Sequence, residues 1–198
     1  MVGRPSVAEE RRTQIFEAFR RCVAREGLEK TTLDAIAREA GLQRSAIRHF
    51  VGNRDQLVRE ALVALAAEYY EAFDRSVAEA RGKARIDLLL AFLFDGAFAH
   101  EHGESDRVVN ALLAGAAADE GARRALREMY EGFLESVERE LRSAYPKARA
   151  PRRREAAWAI LCIAETHVTM IDLGFDESRT ELAKRAARRI LDGLRSRD

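Results

Sequence analysis

Residues 43–49 read Gln-Arg-Ser-Ala-Ile-Arg-His, and five of these seven side chains carry polar heads that suit a nucleic-acid surface. Gln and Arg match the adenine and guanine edges of a major groove, while Ser, Arg and His suit phosphates or bases. They serve that chemistry only from the outer side of a short helix whose inner side is anchored. The spacing around Gly41 supplies the anchor: Ala37 stands four residues before it and Ile47 six after it. In a helix-turn-helix a small residue lets two helices cross closely, and glycine relieves a turn where φ is positive. A β-branched residue then plugs the second helix into the core. Ile36, Leu42 and Phe50 complete that core with Phe19 and Val23 of a preceding helix. Gln43, Arg44, Ser45, Arg48 and His49 are left outside. By itself the spacing fits equally a helical hairpin in an ordinary bundle with a solvated polar face.

Caps punctuate the helices on which these residues depend. Ser6 with Glu9 reads as a capping box and Gly27 as the stop of a first helix, whose Ile15, Phe16, Phe19, Cys22 and Val23 make one apolar face. Thr31 with Asp34 marks the start of a second helix ending near Gly41, and a third runs from about 43 to 49. Asn53 with Gln56 resembles another cap, from which a long helix reaches about Ala80, before Gly82. Further helices are expected over about 83–101, 105–116, 119–144, 152–173 and 178–196. Pro146 and Pro151 mark the break before the penultimate one, Gly174 ends it, and Ser178 with Glu181 caps the last. Sustained strand alternation is absent, so the expected fold is all-α. A three-helix head over residues 1–54 is joined by a long helix to a helical body within 55–198.

A longer segment sharpens the reading of the head. Thr31-Thr32-Leu33-Asp34-Ala35-Ile36-Ala37-Arg38-Glu39-Ala40-Gly41-Leu42, followed by Ile47-Arg48-His49-Phe50-Val51-Gly52-Asn53-Arg54-Asp55-Gln56-Leu57, resembles the N-terminal domain of the TetR family from about Arg12 to Leu62. The resemblance implies a transcription regulator whose recognition helix presents Gln43, Arg44, Ser45 and Arg48 to double-stranded DNA. It implies that Thr32 meets a phosphate at a helix N-terminus, that Arg54 is a basic phosphate contact, and that Arg4 reaches the backbone or a minor groove. The chain departs from the family at Arg48, where Tyr is frequent, at Ser45, where Gly is frequent, and at Phe50-Val51, where His-Phe is frequent. His49 therefore stands one residue early.

In the body, Tyr69, Tyr70, Phe73, Phe92, Phe94, Phe98, Met129, Tyr130, Phe133, Trp158, Cys162 and Met170 read either as bundle core or as the wall of an apolar cavity. As a ligand pocket the candidates are Phe92, Phe94, Phe98, Met129, Tyr130, Phe133, Trp158 and Cys162, with Glu165 and His167 as polar handles for a largely apolar small molecule. The 152–173 helix is apolar around most of its circumference, and the last helix carries Leu182, Ala186, Ile190 and Leu194 at four-residue spacing. With Ile160, Val168 and Ile171 these form the expected homodimer seam, which would offer two recognition helices to a near-palindromic site.

Composition bounds the alternatives. The chain has 198 residues, 47% apolar and 34% charged, with a formal net charge of +1. Eleven Lys/Arg against seven Asp/Glu make residues 1–54 mildly basic, the direction DNA binding needs. Cys22 and Cys162 stand apart, outside any metal-ligand or redox spacing, and His100 and His102 lack a third ligand, so neither a metal nor another cofactor is expected. The polar start Met-Val-Gly-Arg-Pro-Ser carries no apolar run, and the longest apolar stretch, Trp158 to Phe175, is broken by Glu165, His167 and Asp172. The expectation is a soluble, cytoplasmic protein without a membrane span. A Gly-rich phosphate loop and a nucleophile elbow are also absent, which argues against an enzyme. The chief alternative to a DNA-binding regulator is a helical protein-interaction module.

Overall fold

The computed structural model describes residues 6–78, 80–95 and 103–195, and every regular element in them is helical. In order these are α1 Val7–Glu26, α2 Leu33–Ala40, α3 Arg44–Val51, α4 Arg54–Val77, α5 Lys83–Phe94, α6 Gly103–Gly115, α7 Glu120–Ala144, α8 Ala150–Asp172 and α9 Thr180–Gly193. Arg4, Phe98, His100 and His102 lie outside the described residues. Among the described residues no helix is long and apolar enough to cross a membrane.

Two of the four side-chain caps the sequence advertises form as expected. The Ser6 hydroxyl accepts from the Glu9 N–H while the Glu9 carboxylate accepts from the Ser6 N–H, a complete capping box for α1. Asn53 and Gln56 exchange the same pair of bonds ahead of α4. The start of α2 differs from expectation by one residue. Thr32, not Thr31, is the cap, its hydroxyl accepting from the Ala35 N–H at 3.1 Å. Thr31 is buried and donates its hydroxyl to the Gly27 carbonyl, stapling the α1–α2 loop. Ahead of α9 a short turn, Glu177–Arg179, is capped by Asp176 through the Ser178 N–H, so the expected Ser178–Glu181 box does not form. Pro151 falls in the first turn of α8, where its missing N–H leaves no bond unmade. α5 ends at Phe94, before the expected position.

Packing divides the chain into two compact units that do not follow chain order: residues 1–67 with 103–129, and residues 68–102 with 130–198. The head suggested by the sequence therefore shares its unit with α6 and the first turns of α7, and α1 packs on α6 as well as on α2 and α3. The core of the first unit is built from Ile15, Phe19, Cys22 and Val23 of α1, Ile36 and Ala37 of α2, Ile47 and Val51 of α3, and Leu57 and Leu62 of α4. Leu42 and Phe50, expected there, are half-buried, and Val51 fills the deeper place.

In the second unit α5, α8 and α9 pack on one another around Phe73, Leu89, Leu90, Phe92, Phe133, Ile160 and Leu191. The rings of Phe73, Phe92 and Phe133 touch with centroids 5.1–6.5 Å apart, and Tyr70 stacks on Phe133 at 6.5 Å. Glu140, 2% exposed, is compensated by the Arg85 guanidinium, which also donates to the Val77 carbonyl at 2.8 Å. A buried carboxylate needs such a partner to remain charged.

Candidate nucleic-acid interface

The turn between α2 and α3 is set by Gly41, whose φ of 65° and ψ of 31° are left-handed. The Gly41 N–H donates to the Arg38 carbonyl and the Leu42 N–H to the Ala37 carbonyl, closing α2 with the paired bonds of a Schellman motif. α3 then starts at Arg44 with Ile47 fully buried and Val51 2% exposed, so one side of this eight-residue helix is fixed in the core. Two α1 side chains, which sequence reasoning did not single out, hold both helices. Gln14 donates to the Ala40 carbonyl at the end of α2. Arg12 donates to the Phe50 carbonyl at 2.6 Å and pairs with Glu60 of α4. Both α1 contacts are long-range hydrogen bonds, for which composition and periodicity give no signal.

The opposite side of α3 collects what the sequence placed there. Gln43, Arg44, Ser45, Arg48 and His49 are all exposed. Gln43 is the N-cap residue, yet its side chain makes no cap hydrogen bond, so the amide is not committed to the helix. Arg44 reaches back to Asp34 of α2 at 3.0 Å, an ion pair in which both side chains are more than half exposed. His49 stands edge-on to Phe50, centroids 4.9 Å apart. Thr32, also exposed, places the N-terminus of α2 beside this surface.

Arg54 is placed differently. Its guanidinium is turned inward, donating to the Leu28 carbonyl at 2.9 Å and the Thr31 carbonyl at 3.4 Å while pairing with Asp119. Asp119 belongs to the turn before α7, and its other oxygen accepts from the Ala122 N–H at 2.8 Å. Burial alone would raise the Asp119 pKa, but the Ala122 N–H and the Arg54 guanidinium outweigh it and hold the carboxyl below its ordinary value. In the chain alone this guanidinium is thus committed to two carbonyls and a carboxylate.

The other candidates separate into several places. Phe92, Phe94 and Phe133 are buried in the core of the second unit. Tyr130, on the same wall, donates its hydroxyl to Glu165 at 3.0 Å. Burial and the neighbouring Glu165 push the Tyr130 phenol well above its usual range, so it stays a neutral donor. His167 is buried against Thr180, 3.0 Å away, and lies 6.0 Å from Phe94. Met129 is half-buried on α7, within the first unit. Trp158, 60% exposed, and Cys162, also exposed, do not join these rings. The buried residues of α8 are Ala156, Ala157, Ile160, Leu161, Ala164 and His167, and Trp158 and Cys162 fall on the opposite face.

The residues expected at a dimer seam differ in exposure within the single chain. Ile160 is fully buried in its own subunit, and Val168 and Ile171 are half-buried toward that same inner side. On α9 the series Leu182, Ala186, Ile190, Leu194 passes from 55% exposed to 5%. Four-residue steps advance about 40° beyond a full helical turn each, so the series winds from the surface into the core. The outward apolar face consists instead of Trp158, Cys162, Met170 and Leu173 of α8 and its end, with Leu182 and Ala186 of α9.

Residues 15–61 match the family described as bacterial regulatory proteins, tetR family. Among solved structures, a TetR transcription regulator from Haloarcula marismortui ATCC 43049 is similar with a TM-score of 0.71 and 20% identity, over 93% of this chain and 97% of that one. The fatty acid degradation regulator FadR from Bacillus halodurans gives 0.69 and 18%, over 98% and 100%. The multidrug binding protein EbrR, solved with imidazole, gives 0.68 and 20%, over 94% and 96%. No curated protein sequence matches. Residues 15–61 thus match the model of the tetR family of bacterial regulatory proteins, and the described helices share the fold of those solved structures.

Proposed function

We propose that this chain is a homodimeric, ligand-responsive transcription regulator of the cytoplasm, a repressor that reads a near-palindromic operator through α3. The observation that carries this reading is the two-sidedness of α3. Ile47 and Val51 are locked in the core while Gln43, Arg44, Ser45, Arg48 and His49 share the open side. Arg48 is exposed and has no partner among the described residues, so its charge is available to DNA. The apolar outer face of α8 and α9, centred on Trp158, Leu173 and Leu182, supports assembly with a second copy. Such a dimer would present two α3 helices about one DNA turn apart, roughly 34 Å. In the body, the Tyr130–Glu165 pair beside buried aromatic rings supports a largely apolar ligand with one polar anchor. The ligand would act only as far as its affinities for the DNA-competent and incompetent states differ.

Selection of bound genomic fragments by the purified protein, sequenced at two salt concentrations, tests the reading. One near-palindromic sequence is expected, with affinity falling steeply as salt rises. Replacing both Arg44 and Arg48 by Glu should abolish recovery while leaving the dimer intact. Weak recovery without sequence preference, or no effect of the double replacement, would overturn it in favour of an interaction module.

A further inference from the structure

The joint between the head and the α6–α7 turn lies within the first unit and is closely specified. Arg54, in the first turn of α4, commits Nε and both terminal nitrogens to Thr31, Asp119 and Leu28. Asp119 gives one oxygen to Arg54 and uses the other to cap α7. Two glycines bring the backbones together beside this pair. A Cβ on Gly115 would sit 3.1 Å from the Leu28 side chain, and one on Gly121 would sit 3.4 Å from the Asp55 Cβ. The carbonyls that Arg54 holds belong to the loop leading directly into Thr32, the N-cap of α2. Freeing Arg54 for a phosphate would leave two carbonyls and a carboxylate without that donor.

We infer that Asp119, far outside the recognition motif in sequence, is a positioning residue for DNA binding that acts through Arg54. The pair fixes the Leu28–Thr31 corner and so the orientation of α2 and α3, and Arg54 makes no contact with DNA. This inference rests on the proposed function, but it separates from it in the test.

The full-length protein is compared with D119N, R54Q and R54K on the selected operator, by fluorescence anisotropy across salt concentrations. The side-chain amide introduced by D119N retains an oxygen for the Ala122 N–H, so this variant removes the charge pair and keeps the cap. The expected result is about fivefold weaker binding by D119N, with the slope of log affinity against log salt unchanged. R54K, which keeps the charge but loses the planar fork, should bind as poorly as R54Q. A phosphate contact at Arg54 gives the opposite pattern: D119N binds tighter, R54K binds like the parent, and R54Q lowers the salt slope by about one. That pattern, or D119N binding equal to the parent, overturns the inference. If the parent protein selects no DNA, the proposed function fails. Backbone amide exchange over residues 28–35 then decides the positioning claim: acceleration in D119N supports it, and unchanged exchange overturns it.

Discussion

At the scale of single residues, α3 carries a contact whose partner competes with its purpose. Arg44 is paired with Asp34 across the surface, both side chains exposed at 52% and 60%. Such pairs are worth about 0–1 kcal/mol, so a phosphate or a guanine edge displaces the carboxylate readily. The carboxylate nevertheless adds a negative charge where DNA approaches. D34N is therefore expected to raise operator affinity by about two- to threefold, the size of a weak surface pair. An anisotropy titration checks this, and tighter binding should be most visible at low salt. Weaker binding by D34N would mean that the acid instead positions Arg44 for a base.

At the scale of elements, two features decide whether α3 and the outer face of α8 do their work. Gly41 needs its left-handed φ, yet a Cβ there would meet nothing within 4 Å. G41A should then cost only the backbone strain, about 1–2 kcal/mol, and G41N less because Asn tolerates this conformation. Thermal melts of the three proteins check the order. On α8 the outward face reads Trp158, Cys162, Thr166 and Thr169, with the half-buried Glu165 among them. Cys162 is exposed in the single chain, whereas Cys22 is buried with its thiol pushed up, mainly by that burial. If a second copy covers this face, thiol reagents should label neither cysteine rapidly in the dimer. W158E should yield monomers in sedimentation and expose Cys162 to fast labelling. Rapid labelling of Cys162 in an intact dimer would move the seam elsewhere.

At the scale of the whole molecule, acid is expected to weaken the first unit through carboxylates held below their ordinary pKa, Glu39 and Asp119 among them. Glu39 is held below its ordinary pKa by hydrogen bonds from Arg21 and then Arg25. Asp119 is also lowered, despite the opposing effect of burial. A folded-state pKa below the unfolded value of about 4 contributes stability above that pH. This contribution disappears as pH falls through the folded-state pKa. The melting temperature should drop below about pH 4, and D119N should show a shallower drop than the parent. Parallel losses in the two proteins would remove Asp119 from the acid response.

Local features were legible in the residues alone. The Ser6 and Asn53 caps, the Gly41 turn, the buried Ile47 and the exposed polar side of α3 all follow from residues a few positions apart, where helix geometry dictates which side chains share a face. The family resemblance extended that reading over the head and supplied a role for Arg54 that holds for a basic residue in isolation. Its actual partner could come only from the folded chain, because Asp119 is 65 positions away and is brought near by the packing of α6 on α1. The same limit explains the body. Periodicity showed that α8 and α9 are apolar, but which side meets its own bundle depends on the helices packed against it. There Ile160 and Leu194 go inward and Trp158 outward, since a helix apolar nearly all round carries no mark of which face its neighbours will cover.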